Sequence, residues 1–342
     1  MRRQCGANGR DRDPRGGHST LARHRWSGEG IAGDDWDTHD CNAFLVANGL
    51  YLAVVSLHPS EVRPLTTHRV PALLRSCHLE PALAVTVLVT ALAAAAGRGL
   101  AGSAAVAAAV LAGQLSIGWC NDAVDAQRDT DGGRRDKPVA AGELPPRVVA
   151  VAAGTALALC VPLSLLSGAA AGAIHLGGTV AGWAYNLWLK HTVFSPLSYA
   201  VGFGSLPAFV TLGLLPPSWP QWWAPVAGAL LGVGAHLVNV LPDIEDDLAA
   251  GVRGLPQRLG RVACRWLAPL MMLAAVAVLV AGPPGPVGAM SWMLAAAAAA
   301  ISILGTAVPS KAGNRWPFRA AIVVAGMAVA QLLLRGPDLV RT

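Results

Sequence analysis

From Leu79 onward the chain reads as long apolar runs separated by short breaks that are polar or rich in proline and glycine. Nine such runs stand out, at about 80–97, 100–120, 147–166, 168–188, 195–214, 221–242, 264–281, 286–308 and 317–334. Each has roughly the 17–25 residues that a helix needs to cross a bilayer. Each is also apolar on all faces, whereas a surface helix of a soluble domain is apolar along one stripe. The pattern predicts an all-α membrane protein, with about nine transmembrane helices in one bundle. Alanine and glycine dominate the runs, and small residues let helix backbones approach where lipid gives no hydrophobic drive to associate. Pro145-Pro146, Pro216-Pro217 and Gly282-Pro283-Pro284-Gly285 mark the breaks.

Residues 1–75 have a different texture. They hold ten of the 26 Lys+Arg and eight of the 20 Asp+Glu, with many glycines and no helical period. Their one apolar run, Ala43 to Leu57, is too short to span and begins too late for a signal peptide. The expectation is a poorly ordered N-terminal extension over 1–75, followed by a membrane domain over 76–342.

Composition sharpens this picture. The chain is 54% hydrophobic and only 13% charged, about half the charge of a soluble domain. The loops after the second, fourth, sixth and eighth runs carry thirteen Lys+Arg, and those after the first, third, fifth and seventh carry only Arg98. Strict alternation of this kind sets the charged loops and the N-terminus on the cytoplasmic side. The formal charge of +6 is therefore read as a topology signal and not as a nucleic-acid footprint. Trp219, Trp222 and Trp223 fall in an uncharged loop, where an aromatic belt is expected. No two of the six cysteines share a CxxC spacing, which argues against a disulfide framework or a thiolate metal site.

The acids are clustered. Of the twelve after position 75, ten lie in two groups: Asp122, Asp125, Asp129, Asp131, Asp136 and Glu143, and then Asp243, Glu245, Asp246 and Asp247. An internal repeat emerges, Asn-x3-Asp-x3-Asp, at 121, 125, 129 and again at 239, 243, 247. A spacing of four puts the three side chains near one face of a helix. Acidic groups at helix ends are commonly solvated surface, but two copies of one pattern at the ends of even-numbered runs suggest faces that converge. Several carboxylates near hydrocarbon are costly unless a cation sits between them. Hard oxygen ligands suit Mg²⁺, which is often shared with substrate phosphates. Arg128, Lys137, Lys190, Arg253 and Arg258 flank the acids, and metal plus Lys/Arg is what an anionic diphosphate requires.

These motifs resemble the UbiA superfamily of intramembrane prenyltransferases, whose first motif reads NDxxDxxxD and whose second reads DxxxD. Asn121, Asp122, Asp125 and Asp129 match the first in every position, and Asp243 and Asp247 match the second. The stretches 249–260 and 137–142, and Tyr185-Asn186 with Lys190, are similar to further family segments. The resemblance covers about 75–335. It implies an Mg²⁺-dependent transfer of an isoprenoid chain from a prenyl diphosphate to a lipophilic or aromatic acceptor. Asp125, Asp129, Asp243 and Asp247 are then catalytic and, with Asp122, metal ligands. Asn121, Asp122, Arg128, Lys137, Tyr185, Lys190, Asn239, Arg253 and Arg258 are then substrate-binding. Asp246 stands where many relatives have glycine, and the basic stretch 132–136 and the extension also depart from the pattern. His236 lies on the face of the second motif, and Trp183, Tyr185, Trp188 and Phe203 are candidates to face an allylic cation. His175 is read as a packing residue. The alternative class is a secondary transporter, whose acids normally lie near the bilayer midplane rather than at helix ends.

Overall fold

The computed structural model describes residues 69–307 and 316–340. Among them, eleven α-helices and no strand are found. A short α1 (Arg69–Arg75) precedes α2 (Leu79–Ala95), α3 (Gly99–Asp131), α4 (Pro146–Leu165), α5 (Ala169–Leu187), α6 (Ser195–Thr211) and α7 (Trp223–Val240). Then come α8 (Ile244–Ala249), α9 (Leu255–Ala281), α10 (Ala289–Ala307) and α11 (Trp316–Leu334). Nine of these have 17 residues or more and coincide with the nine apolar runs. Four stretches are long and apolar enough to cross a membrane by length and composition, Gly99–Asp131, Pro146–Leu165, Trp223–Ala249 and Leu255–Ala281, and Leu79–Ala95, Ala289–Gly305 and Arg319–Leu334 are shorter apolar helices. The apolar run at 43–57 lies outside the described residues.

Successive long helices pack on one another, and α11 returns to pack on α2. Two ends result. At one end Arg98 donates to the Val210 carbonyl (3.2 Å) and to Ser167 Oγ (3.0 Å). The Gln221 amide there donates to Leu339 O (2.7 Å), and Arg335 reaches Pro286 O (3.4 Å). These contacts join the segments that follow α2, α4, α6, α9 and α11. The loops that follow α3, α5 and α7 meet at the other end, so the charge alternation in the sequence becomes a separation in space. Trp223 departs from the expected aromatic belt. It is fully buried at the start of α7, while Trp219 and Trp222 remain exposed.

Helix α1 lies on the N-terminal side of the expected boundary at 75. Ala72 packs with Ala126, Val139, Leu144 and Val149, flanked by Leu73, Trp119 and Ala123. The Trp119 indole donates to Leu73 O (2.8 Å).

Glycine permits a close contact between α6 and α7. Gly228 and Gly232 are four apart on α7 and face the backbone of α6; a Cβ at Gly232 would lie 2.3 Å from the Tyr199 carbonyl oxygen. Gly232→Ala is therefore expected to cost about 1–3 kcal/mol through overpacking and to lower the thermal midpoint in detergent. Gly154→Ala, whose new Cβ meets nothing within 4 Å, should leave the midpoint unchanged. Equal midpoints for the two variants would refute the close α6–α7 contact.

Candidate active site

Helix α3 continues eleven residues past its last apolar stretch, and this polar extension carries the first acidic motif. Asp122, Asp125 and Asp129 are buried, at 2%, 4% and 5% exposure. Their spacing of three and four places them on one inward face of the helix. The buried stripe thus begins at Asp122 rather than at Asn121, as the repeat in the sequence suggested. Asn121 is half-buried, and its side-chain amide donates to Asp125 Oδ2 (3.1 Å) and to Asn186 Oδ1 (3.2 Å).

Each buried aspartate has a cation. The loop after α3 folds back so that Lys137 Nζ lies 2.8 Å from Asp129 Oδ2 and 3.1 Å from Asp122 Oδ1. Asp122 Oδ1 is held by attraction alone, without a directed hydrogen bond, and His78 Nε2 stands 3.4 Å away. Lys190, on a single 3-10 turn after α5, donates to Asp125 Oδ1, while Arg128 reaches Asp125 Oδ2 at 2.8 Å. Burial would raise the Asp125 carboxyl, yet Lys190 and Arg128 outweigh it and hold the group below its usual value. Burial likewise works against the Lys137 ammonium, but Asp122 and Asp129 keep it above the ordinary lysine range.

The second motif has a different local geometry. Pro242 interrupts the chain after α7, residues 241–243 form a 3-10 turn, and α8 follows. A proline lacks the N–H that would continue the helix. Asn239, Asp243 and Asp247 therefore do not share one continuous α-helical face. Asn239 is exposed and Asp243 and Asp247 are half-buried, with Ile244 buried between them. Asp247 Oδ2 accepts a hydrogen bond from Gln257 Nε2 (2.8 Å) at the start of α9. Burial, reinforced by the charges of Asp243 and Asp125, lifts the Asp247 carboxyl above its usual value, against the Gln257 hydrogen bond and Arg128. That cross-influence is the evidence that the two motifs face each other. Arg134 lies in the field of both Asp243 and Asp129.

A group of aromatic rings adjoins this space. Tyr185 meets Tyr199 edge-on at 5.2 Å, and Tyr199 stacks on His236 at 4.6 Å and on Phe203 at 6.4 Å. His236 is buried and meets Ser195 Oγ at 3.1 Å, so it backs the aromatic wall. His175 is a packing residue as expected, with Nδ1 2.8 Å from Ser164 Oγ and its ring 4.4 Å from Phe209.

Sequence reasoning missed Tyr199, Gln257 and Ser195. Tyr199 carried a faint signal, since the chain has only three tyrosines and both of those among the described residues meet here. Gln257 lay within the family-like stretch 249–260 without being singled out, and Ser195 carried no signal. Arg253, on the α8–α9 connection, and Arg258, in the first turn of α9, are exposed, with Arg258 Nε donating to Arg253 O (2.8 Å), and neither reaches the buried acids. Trp188 points outward at 48% exposure, and Trp183 donates to Ser116 Oγ (3.2 Å). Among the described residues, no three acidic, histidine or cysteine side chains form a ready-made metal cage.

The profile of the UbiA prenyltransferase family matches residues 82–333. No curated protein matches the chain. Solved structures do. A UbiA homolog from Archaeoglobus fulgidus bound to GPP and Mg²⁺ is 15% identical, with a TM-score of 0.56 over 78% of this chain and 100% of that one. The same homolog bound to DMAPP and Mg²⁺ is 16% identical, with a TM-score of 0.56 over 77% and 97%. An apo UbiA homolog from Aeropyrum pernix K1 is 20% identical, with a TM-score of 0.55 over 73% and 96%. At these identities the likeness is one of fold.

The buried pairs can be tested by stability. Lys190→Met strips Asp125 of one cation and is expected to cost about 3 kcal/mol or more, as for one half of a buried pair. Adding Asp125→Asn removes the uncompensated charge, so the double variant should melt above Lys190→Met. A double-mutant cycle in detergent with zero coupling would show that the pair does not form.

Proposed function

The chain belongs to the UbiA prenyltransferase family, and from that premise we propose that the charged end of the bundle is its active site, facing the cytoplasm. There the chain transfers an isoprenoid unit from a prenyl diphosphate to a lipophilic or aromatic acceptor. The observation that carries this reading is that Asp247 lies in the field of Asp125, an acid of the other motif, while Lys137, Lys190 and Arg128 stand on the acids of the first motif. Family membership sets the transporter alternative aside.

The donor set fits Mg²⁺. Carboxylate oxygens predominate, and Asp247 is half-buried, raised first by burial and then by Asp243 and Asp125, which is where a divalent cation gains most. The lack of a preformed three-ligand cage is in keeping with an ion that retains several waters and shares phosphate oxygens. On this reading Asp243 and Asp247 of the second motif, with Asp122, Asp125 and Asp129 of the first, would hold the ion. When bound, Mg²⁺ neutralises charge on the departing diphosphate.

The chain's own residues do the rest. Lys137, Lys190 and Arg128 are already oriented by the acids and offer N–H donors to the diphosphate oxygens, with Asn121 and Asn239 at the margin of the space. The C–O bond breaks and its electron pair leaves with the diphosphate. Tyr185 faces the allylic cation, a contact of about 0.5–2 kcal/mol, and Tyr199, stacked on His236 and Phe203, backs it. The acceptor's nucleophilic atom then forms the new bond and loses its proton. Arg253 and Arg258, exposed beside the entrance, serve as outer attraction for the anion. The catalytic domain comprises 76–342 together with α1, and residues 1–68 before that helix form the extension.

Two outcomes check this proposal. Asp125→Asn and Asp243→Asn should each lower prenyl transfer about a hundredfold or more, the scale for losing one electrostatic group from a preorganised site. Chelator should abolish transfer and Mg²⁺ restore it; parental rates in both variants would exclude the site. For topology, single cysteines at Asp136 and Leu215, exposed at opposite ends of the bundle, should label from the cytoplasmic and the outer side respectively. Labelling of both from one side would overturn the orientation.

A further inference from the structure

The two acidic motifs differ in what stands beside them. Asp122, Asp125 and Asp129 each meet a cationic nitrogen. Among the described residues, Asp247 has instead a neutral partner, the Gln257 amide at 2.8 Å. That amide is only 6% exposed, and its Oε1 has no hydrogen-bond partner. Its orientation follows from the chemistry: a carboxylate only accepts, so the flipped amide would oppose two oxygens.

The turn that carries Gln257 is fixed on three sides. The Leu255 amide donates to Ser195 Oγ (3.2 Å) at the start of α6, and the same hydroxyl meets His236 of α7. Gly254 lies so close to the Lys190 turn that a Cβ would fall 2.5 Å from the Lys190 carbonyl. Gln257 is thus anchored to the elements that carry Lys190, Tyr199 and His236.

We infer that Gln257 is a positioning residue of the second motif. Its N–H fixes the Asp247 side chain toward Asp243 and Asp125 and leaves the carboxylate its full negative charge. Partners of metal ligands act in this way, and losing one typically weakens metal affinity 10- to 100-fold. The inference rests on the Mg²⁺ reading of the site.

The test uses the full chain in detergent, with Mn²⁺ as the probe in an electron-paramagnetic-resonance titration. Gln257→Met keeps the shape and removes the donor, and Gln257→Asn keeps the amide and removes the reach. Both should bind Mn²⁺ at least tenfold more weakly than the parent. Both should also need correspondingly more Mg²⁺ for half-maximal transfer, with metal-free melting unchanged. Parental Mn²⁺ affinity in a folded variant, or a loss of melting temperature with no change in affinity, overturns the role of Gln257. If Gln257→Met fails to fold, Gln257→Asn decides. Absence of Mn²⁺ binding by the parent chain would instead overturn the metal reading itself, and the two failures are therefore separable.

Discussion

Three carboxylates within two turns of one helix, each at most 5% exposed, impose the constraint around which the charged end is built. In so dry a place a carboxylate is costly unless a cation reaches it. Asp122 and Asp129 are served by Lys137, which requires the loop after α3 to turn back across the helix end. Asp125 is served by Lys190, which requires α5 to stop and the chain to make one 3-10 turn at that level. The length of α3, 33 residues, has the same origin, because the acids must project beyond the apolar slab to meet these partners.

The opposite end solves a different problem. Arg98, the one Lys/Arg in the loops after the first, third, fifth and seventh runs, would be anomalous as a surface charge there. It is instead partly buried and bonded to Val210 O and Ser167 Oγ, where it joins the α2–α3, α4–α5 and α6–α7 connections. A guanidinium near the C-terminus of α6 also meets carbonyls that the helix leaves unpaired. With that end closed by backbone and side-chain bonds, the polar opening lies at the other end, where Tyr185, Tyr199, Asp243 and Asp247 are half-buried.

The helices were legible because hydropathy is local. A run of twenty apolar residues needs no knowledge of its neighbours to be a helix in lipid. The first motif was legible for a similar reason, since side chains at intervals of three and four share a face on any α-helix. The second motif misled for a local cause. Pro242 converts residues 241–243 to a 3-10 turn, and the spacing of four stops meaning one face. Trp223 misled for a tertiary cause, because its position at a loop edge predicts an interface and packing against α9 buries it.

By itself the sequence determined the all-helical membrane class, the alternation of charged and uncharged connections, the acids of the two motifs and the family they resemble. Hydropathy, charge and short-range spacing act over a few turns of one helix, and a sequence displays them directly. Only the tertiary structure decided which cation serves which acid, for Asp125 and Lys190 are 65 residues apart in the chain. It alone brought Tyr199 to Tyr185, Ser195 to Leu255 and Gln257 to Asp247. Such contacts depend on how closely helices can lie on one another, as where Gly228 and Gly232 of α7 meet the Phe203 and Tyr199 carbonyls of α6, and no periodicity along the chain records it.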